Sequence, residues 1–348
     1  MAFSFSEVEN IWLQQDHFAV LHCNIRSIKK NFDHLLSYLS QHSFKYDVIA
    51  ITETWLRESE SVHLPGYVML SQPRNSATRG GGVALFIKDC FSFVHLSNSS
   101  CCSSSAETLF IHLQNGVIIG VIYRPPISSV ADFITVMEST MIPIVASKAP
   151  IIVCGDINID VSGDTCDDYV FLLQSVNLRN VISSPTRITD HSESIIDHVL
   201  CNADLDVSAG VYAVAIADHN PTFLFLPQKY ICAPAIPAIK RTTRVDYNSV
   251  QKLLQGTNFD ALYDEDVDVE CDNIVKCIMD VIERSTRSCS RRNYDHAICP
   301  WMNRNILEVL KLKDFYYDKW KNNRSNEYYH QNFKLYRNKS VAMIRKSK

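Results

Sequence analysis

A chain of 348 residues, 46% hydrophobic and 21% charged, has the composition of a globular protein with one large core and room for a small second module. Nowhere do eighteen apolar residues run together, and residues 1–10 lack a basic segment followed by an apolar one, so neither membrane spanning nor secretion is expected. The net charge of −4 hides an asymmetry, −10 over residues 1–230 against +8 over the last 48 residues, which implies two regions with different tasks. The twelve cysteines lack C-x-x-C spacing, and Cys23, Cys154 and Cys201 lie in or beside apolar runs where a thiol acts as a small hydrophobe. This points to a reducing, intracellular setting, nucleus or cytoplasm, and away from a disulfide framework or a zinc site.

In chain order, the apolar run 18–23 leads into Asn24, and 31–41 carries Phe32, Leu35, Leu36 and Leu39 at helical spacing. The run 47–52 leads into Glu53, and the glycine-rich loop 75–82 leads into a strand over 83–87. The run 117–122 ends at Tyr123, followed by Arg124-Pro125-Pro126, and 130–141 reads as a helix. The run 151–155 leads into Asp156 and Asn158, 167–177 reads as a further helix, and 194–196 leads into Asp197. Finally, 211–216 leads into Ala217-Asp218-His219-Asn220-Pro221. Short apolar runs bounded by turn residues are the signature of strands buried between layers, so the pattern predicts an α/β architecture with helices flanking buried sheets. Prolines gather over 227–237 and mark a linker. Beyond it, 246–255 and 271–288 read as helical, and from Trp301 a basic stretch carries Tyr316, Tyr317, Trp320, Tyr328 and Tyr329. That stretch reads either as a solvated amphipathic helix pair or as a nucleic-acid surface whose rings stack on bases. The organisation expected is a catalytic domain over 1–226, a proline-rich linker over 227–245 and a helical, basic tail over 246–348.

The strand-end residues are chemically complementary. Glu53, Asp156 and Asp218 are carboxylates, and Asn24 and Asn158 supply amides, an oxygen-rich and sulfur-free set that suits Mg²⁺ or Mn²⁺ better than zinc. His219 is a switchable donor near neutral pH, and Asp197 is the natural carboxylate to fix its tautomer and hold it positive beside a phosphate. Tyr123 and Arg124 can bind anionic oxygens. Singly, each has a plainer reading: Asn24 as a turn residue, Glu53 as a helix N-terminal acid, 155–158 as an Asx turn, Asp218-His219 as a satisfied buried pair. Jointly, they read as a reaction centre for phosphate esters.

The ordered set Asn24-Ile25-Arg26, Thr52-Glu53-Thr54-Trp55, Gly80-Gly81-Gly82-Val83-Ala84, Ile122-Tyr123-Arg124-Pro125-Pro126, Gly155-Asp156-Ile157-Asn158, Ser194-Ile195-Ile196-Asp197 and Ala217-Asp218-His219-Asn220-Pro221 resembles the endonuclease/exonuclease/phosphatase superfamily. More narrowly, it resembles the apurinic-endonuclease-like domain of LINE-type (non-LTR) retrotransposons, over about residues 17–226. The stretches Trp301-Met302, 314–320 and Tyr336-Arg337-Asn338 look like the connector that precedes the reverse transcriptase in such elements. The resemblance implies a four-layer α/β sandwich of two packed mixed sheets, Mg²⁺-dependent phosphodiester hydrolysis, and DNA as the partner, with no small-molecule cofactor. It also implies roles: Glu53 holds the metal with Asn24 and Asp218. Asp156 and Asn158 orient or activate the attacking water and the phosphate, His219 with Asp197 binds and polarises the phosphate, and Tyr123 assists at the transition state or the leaving group. Arg26, where the apurinic enzymes carry an acid, fits the retrotransposon branch, whereas Ala217 stands where serine is usual. No Tyr-x-Asp-Asp or Phe-Ala-Asp-Asp signature is present, so no reverse transcriptase is expected in this chain. The leading expectation is a DNA endonuclease that nicks a strand and leaves a 3′-hydroxyl. The alternatives are an inactive, nucleic-acid-binding element fragment, or a phosphatase or phosphodiesterase of the same superfamily.

Overall fold

The structure, a computed structural model, describes residues 2–14, 16–74, 80–163, 167–214, 216–231, 242–289 and 301–347. Helix α1 (Phe5–Leu13), started by a capping box between Ser4 and Glu7, leads into β1 (His17–Asn24), α2 (Ile28–Leu39), β2 (Val48–Thr52), β3 (Tyr67–Gln72) and β4 (Val83–Lys88). There follow β5 (Phe93–His95), β6 (Cys101–Cys102), β7 (Glu107–Leu113), β8 (Ile118–Tyr123), α3 (Val130–Val145), β9 (Ile151–Asp156), α4 (Asp167–Ser175) and β10 (Leu178–Asn180). A two-stranded ribbon, β11 (Arg187–Ile188) and β12 (Glu193–Ser194), precedes β13 (Asp197–Asn202), β14 (Ser208–Val211) and β15 (Thr222–Pro227).

Two mixed sheets result. One has the order β14-β15-β1-β2-β4-β3, and the other runs β10-β13-β9-β8-β7-β5, with β6 on β7. Successive side chains on a strand point to opposite faces, and here both faces are covered. Phe18, Val20, Val48, Ala50 and Leu85 of the first sheet meet Leu109, Ile119, Val121, Ile152 and Cys154 of the second in a shared core. The alternate residues Ala19, Leu21, Ile49, Ile51 and Phe86 pack with Val8 of α1 and Leu35 and Leu36 of α2. On the far side, Phe110, Ile118, Ile122, Ile151 and Val153 pack with Phe133 and Met137 of α3 and Tyr169 and Leu172 of α4. The molecule is therefore the four-layer α/β sandwich expected, and its strands read as unbroken apolar runs because neither face meets water.

Two apolar runs differ from their expected form. The run 211–216 is not a strand throughout: β14 ends at Val211, which pairs with Thr222, and Tyr212 adds only a bridge to Phe3 and a hydrogen bond to the Pro221 carbonyl at 2.9 Å. Val214 and Ile216 are buried by packing among the α1 and α2 contacts rather than by strand pairing. Likewise Asp197 begins β13 instead of ending a strand over 194–196. Because β13 is antiparallel to β9, its first residue still falls at the end of the sandwich where β9 finishes.

The chain divides into two compact units, Met1–Pro234 with His296–Lys348, and Ala235–Asp295. The segment expected as one tail over 246–348 is shared between them, and most of the expected linker, residues 232–241, lies outside the described residues. Within the second unit, α5 (Tyr247–Gln255) and α6 (Val267–Arg284) accompany the antiparallel ribbon β16 (Thr242–Val245) and β17 (Thr286–Cys289). Within the first, α7 (Arg304–Asn322) and α8 (Glu327–Ser347) form a helical hairpin packed on the sandwich, with Trp301 and Met302 against the layer of α1 and α2. No helix among the described residues is long and apolar enough to cross a membrane.

Candidate active site

Two parallel strand pairs finish at the same end of the sandwich. Asn24 ends β1 opposite Thr52 of β2, and Tyr123 ends β8 opposite Asp156 of β9. Asp197 of the antiparallel β13 stands opposite Asp156 on its other side. The β8–β9 approach depends on Gly155, because a Cβ there would lie 1.8 Å from the Ile122 carbonyl oxygen. Where the strands stop, the backbone turns sharply: Arg26, Glu53 and Asn158 have φ of 42°, 55° and 52°. Left-handed conformations at non-glycine residues are uncommon and cost roughly 1–3 kcal/mol each, so the surrounding contacts must enforce them.

Hydrogen bonds join the two sheets across this end. Asn24 Nδ2 donates to Glu53 Oε1 at 3.0 Å and to Asp156 Oδ2 at 2.7 Å. Trp55 Nε1 donates to Glu53 Oε2 at 3.1 Å, and the Asn158 backbone N–H donates to Asp156 Oδ1 at 3.2 Å. His219 Nδ1 and Asp197 Oδ2 lie 2.7 Å apart with both side chains buried. Thr186 Oγ1 accepts from the backbone N–H groups of Ile196 and Asp197, at 3.2 and 3.0 Å, and so fixes the start of β13.

Burial and proximity perturb the titration of this set. Burial, then the charges of Asp197 and Glu53, push the Asp156 carboxyl up to about 7 against the pull of His219 and the Asn24 amide. Burial works against a charged His219, but the Asp197 charge and hydrogen bond, helped by Asp156 and Asp218, carry it up to about 9. Burial likewise opposes ionisation of Asp197, yet His219 holds it below the ordinary carboxylate range. The pair is therefore an imidazolium and a carboxylate at neutral pH. Burial, and the charges of Glu53 and Asp156, hold the Tyr123 phenol well above its usual range, so it stays protonated.

Of the residues expected at the site, Asn24, Glu53 and Asp156 form one hydrogen-bonded group, Asp197 and His219 a second, and Asp156 faces Asp197 across the β9–β13 pair. Tyr123 closes the group from β8. The Asn158 amide is occupied, its Nδ2 donating to the Arg124 carbonyl at 2.8 Å, so its contact with Asp156 runs through its backbone. Asp218 lies in ion pairs, with Arg26 Nη1 at 2.8 Å and Arg187 Nη2 at 3.6 Å. The expectation that Arg124 presents its guanidinium to anions is corrected. Arg124 is buried and donates to the carbonyls of Ile157, Pro125, Ser128 and Asn158, which clamps the loop after β8 to the loop after β9.

Three further groups were not singled out from sequence. Buried His22, pushed down to about 4 by burial against the pull of Asp197, places Nδ1 3.9 Å from Asp197 Oδ1 and Nε2 3.2 Å from Thr52 Oγ1. Buried Glu107 binds Arg74 and the Gly82 backbone N–H, and the Arg74 guanidinium lies 5.6 Å over the Tyr123 ring. Thr186 is the third. The available signal for Glu107 was its position heading an apolar run, as the other site acids end theirs.

Asp156, Asp197 and His219 offer ligand atoms within 4.8 Å of one another, all buried. Asp197 Oδ1 and Asp218 Oδ1 are buried oxygens without a hydrogen-bond partner among the described residues, an arrangement that asks for a cation. The donors available to a cation are carboxylate and amide oxygens, since the His219 imidazolium keeps both ring nitrogens protonated. The nearby Cys23 thiol is pushed up by burial and by Asp197 and stays protonated. Such a set fits a hard divalent cation.

Fold and site together define a two-sheet α/β protein with an acid and histidine centre where its strands end. The chain belongs to the endonuclease/exonuclease/phosphatase family, whose model matches residues 21–219. It is similar to the RNA-directed DNA polymerase from mobile element jockey of Drosophila melanogaster, at 30% identity over 106 residues, which are 30% of this chain and 11% of that protein. Its Drosophila funebris counterpart is 26% identical over 104 residues, 29% of this chain and 11% of that protein. The matches thus span about a tenth of those relatives' length. Among solved structures, the endonuclease domain of TRAS1, a telomere-specific non-LTR retrotransposon, is similar with a TM-score of 0.48 at 14% identity, covering 60% of this chain and 98% of that one. The AP endonuclease LMAP from Leishmania major gives a TM-score of 0.49 at 13% identity, covering 61% and 88%.

Proposed function

We propose that the chain is a Mg²⁺-dependent DNA endonuclease of non-LTR retrotransposon origin, which hydrolyses one phosphodiester and leaves a 3′-hydroxyl. The observation that carries the reading is the linked set in which Asn24 joins Glu53 to Asp156 while Asp197, opposite Asp156, holds His219. Glu53, with Asn24 and Asp218, would hold Mg²⁺ or Mn²⁺, and the bound ion would neutralise charge on the phosphate and on the departing oxygen. Asp156, with a pKa of about 7, takes the proton of the attacking water at its carboxylate, since a base near the working pH balances availability against strength. The Asn158 N–H keeps that carboxylate oriented. His219, cationic and tied to Asp197 through Nδ1, offers Nε2–H to a phosphate oxygen. As the water oxygen bonds to phosphorus and the bond from phosphorus to the 3′ oxygen breaks, protonated Tyr123 gives its proton to that oxygen. The products are a 5′-phosphate and a 3′-hydroxyl.

The helical hairpin favours a nucleic acid over a small phosphoester. Phe315 and Tyr328 are exposed on it, Tyr316 stacks on Tyr336 with ring centroids 5.3 Å apart, and Lys319 lies over Phe315. Supercoiled plasmid, inositol phosphates and sphingomyelin, each incubated with Mg²⁺ or with a chelator, test the reading. The expected result is nicked circles whose 3′ ends a polymerase extends, abolished by the chelator. Release of inorganic phosphate or phosphocholine with intact plasmid would overturn the DNA substrate, and no hydrolysis of any substrate would overturn the enzyme.

A further inference from the structure

The α7–α8 hairpin lies outside residues 21–219, the span matched by the family model, yet it reaches the site. Buried Tyr317 of α7 donates its hydroxyl to Oδ1 of buried Asn220 at 2.6 Å, and Asn220 directly follows His219. The Asn220 backbone N–H donates to the Thr186 carbonyl at 2.7 Å, and the hydroxyl of the same threonine accepts from the Asp197 N–H. Thr186 thus connects the loop of His219 to the strand of Asp197.

The hairpin also grips the ribbon that continues from Thr186. Ile188 of β11 is buried among Tyr317, Trp320 and Phe333, with Trp320 and Phe333 stacked. At the tip of the ribbon, Arg324 binds Glu193 and donates to the Thr189 carbonyl at 3.2 Å, and His330 Nε2 lies 3.4 Å from Asp190 Oδ1. Arg187 of the same ribbon bridges to the His219 backbone and pairs with Asp218. Besides the Arg26 and Asp197 contacts, two approaches to Asp218 and His219, through Asn220 and through the ribbon, therefore end on α7–α8.

We infer that the α7–α8 hairpin is a positioning element of the phosphodiesterase site, with Tyr317 holding His219 in register through Asn220; this rests on the endonuclease reading above. His219 works only where its ring reaches both Asp197 and substrate. Asp218 and His219 lie outside the regular strands, where contacts from other elements set the position of a side chain. A hydroxyl donated from a helix to the residue beside His219 supplies one such contact without touching substrate.

The test uses the full chain with Tyr317→Phe, which deletes one hydroxyl and keeps the ring in its cluster. Losing one hydrogen bond that matters in the transition state lowers kcat about three- to tenfold. KM for plasmid stays unchanged, because Tyr317 is buried away from any surface that DNA could reach. Asn220→Ala gives a similar fall, and the double variant is no worse than Asn220→Ala alone, since both act through one contact. Hydrogen exchange of the Asn220 amide, bonded to Thr186, is faster in Tyr317→Phe. Unchanged kcat in Tyr317→Phe, or losses that multiply in the double variant, would overturn the inference. If the unmodified chain nicks nothing, the endonuclease reading fails, and the exchange measurement alone decides whether Tyr317 secures the loop: unchanged exchange refutes it.

Discussion

Asp197→Asn isolates the charge that makes His219 a cation. The change keeps the size of the side chain and an oxygen that can accept from Nδ1, but removes the negative charge at 2.7 Å. In the intact site His219 is carried from 6.5 up to about 9, which corresponds to about 3 kcal/mol favouring the imidazolium. Without Asp197, burial, already the largest single influence on the ring, is opposed only by Asp156 and Asp218, and the ring should titrate below about 6.5. At pH 7.5 the cation falls from nearly full occupancy to about a tenth or less. Lost orientation adds to this, and kcat/KM for plasmid nicking should drop about 10²- to 10⁴-fold, the range set by comparable acid-to-amide changes beside a catalytic histidine. The basic limb of the pH profile, expected near 9 in the intact protein from the raised His219, should move below about 7. Stability follows the same linkage. The raised His219 contributes stability in full below 6.5 and loses it as pH rises through about 9. The lowered Asp197 contributes above its unfolded value and loses it as pH falls through its folded one. Thermal unfolding should therefore show the variant's deficit between those limits. Nicked-circle formation against pH is the assay, and activity within twofold of the intact protein with the basic limb still near 9 would refute the reasoning.

Other expectations concern packing, acid and salt. Gly155→Ala forces a methyl group against the Ile122 carbonyl and should cost about 3 kcal/mol or more, read as a lowered urea midpoint; an unchanged midpoint would mean that β8 and β9 can separate freely. His42 sits among Phe5, Tyr38, Phe44, Tyr46 and Tyr212, is pushed down to about 4 by burial, and has no hydrogen-bond partner for either ring nitrogen among the described residues. The unfolded chain therefore takes up protons below pH 6.5 that the folded chain refuses, and stability falls as pH drops. His42→Phe should recover about 2 kcal/mol at pH 5 and little at pH 7.5, and an equal effect at both pH values would contradict this origin. Lys319 and Lys339 are exposed on the hairpin beside Phe315 and Tyr336. Replacing both with glutamine should reduce the slope of log affinity for DNA against log salt by about 2, and an unchanged slope would remove the hairpin from the DNA surface.

The site was legible because of how buried strands end. Asn24, Glu53, Tyr123 and Asp156 each follow an apolar run whose two faces are both covered, so the first polar residue after the run marks the edge of the sandwich. Asp197 was found through a run that is not a strand, and the location survived only because an antiparallel strand begins where its neighbour ends. What sequence did not show are partners far apart in the chain that lie within ordinary-looking segments. His22 reads as a core residue of β1, and Thr186 as a loop hydroxyl. The pairing of Arg74 with Glu107 joins a loop to a strand start 33 residues away. The aromatic tail was ambiguous for a related reason: Tyr317 and Trp320 turn inward, whereas Phe315 and Tyr328 face solvent, and no periodicity separates a ring that packs on another domain layer from one left for a base. Ala217, the departure from the usual serine, has no structural explanation.

Mg²⁺-dependent nicking of supercoiled plasmid by the full chain, compared with Glu53→Ala and His219→Ala, tests the central claim most directly. The intact chain should convert plasmid to nicked circles, and each variant should lose at least about 10²-fold in rate while remaining folded. Equal nicking by all three proteins, or none by any of them, would contradict the assignment of these residues to a phosphodiesterase site.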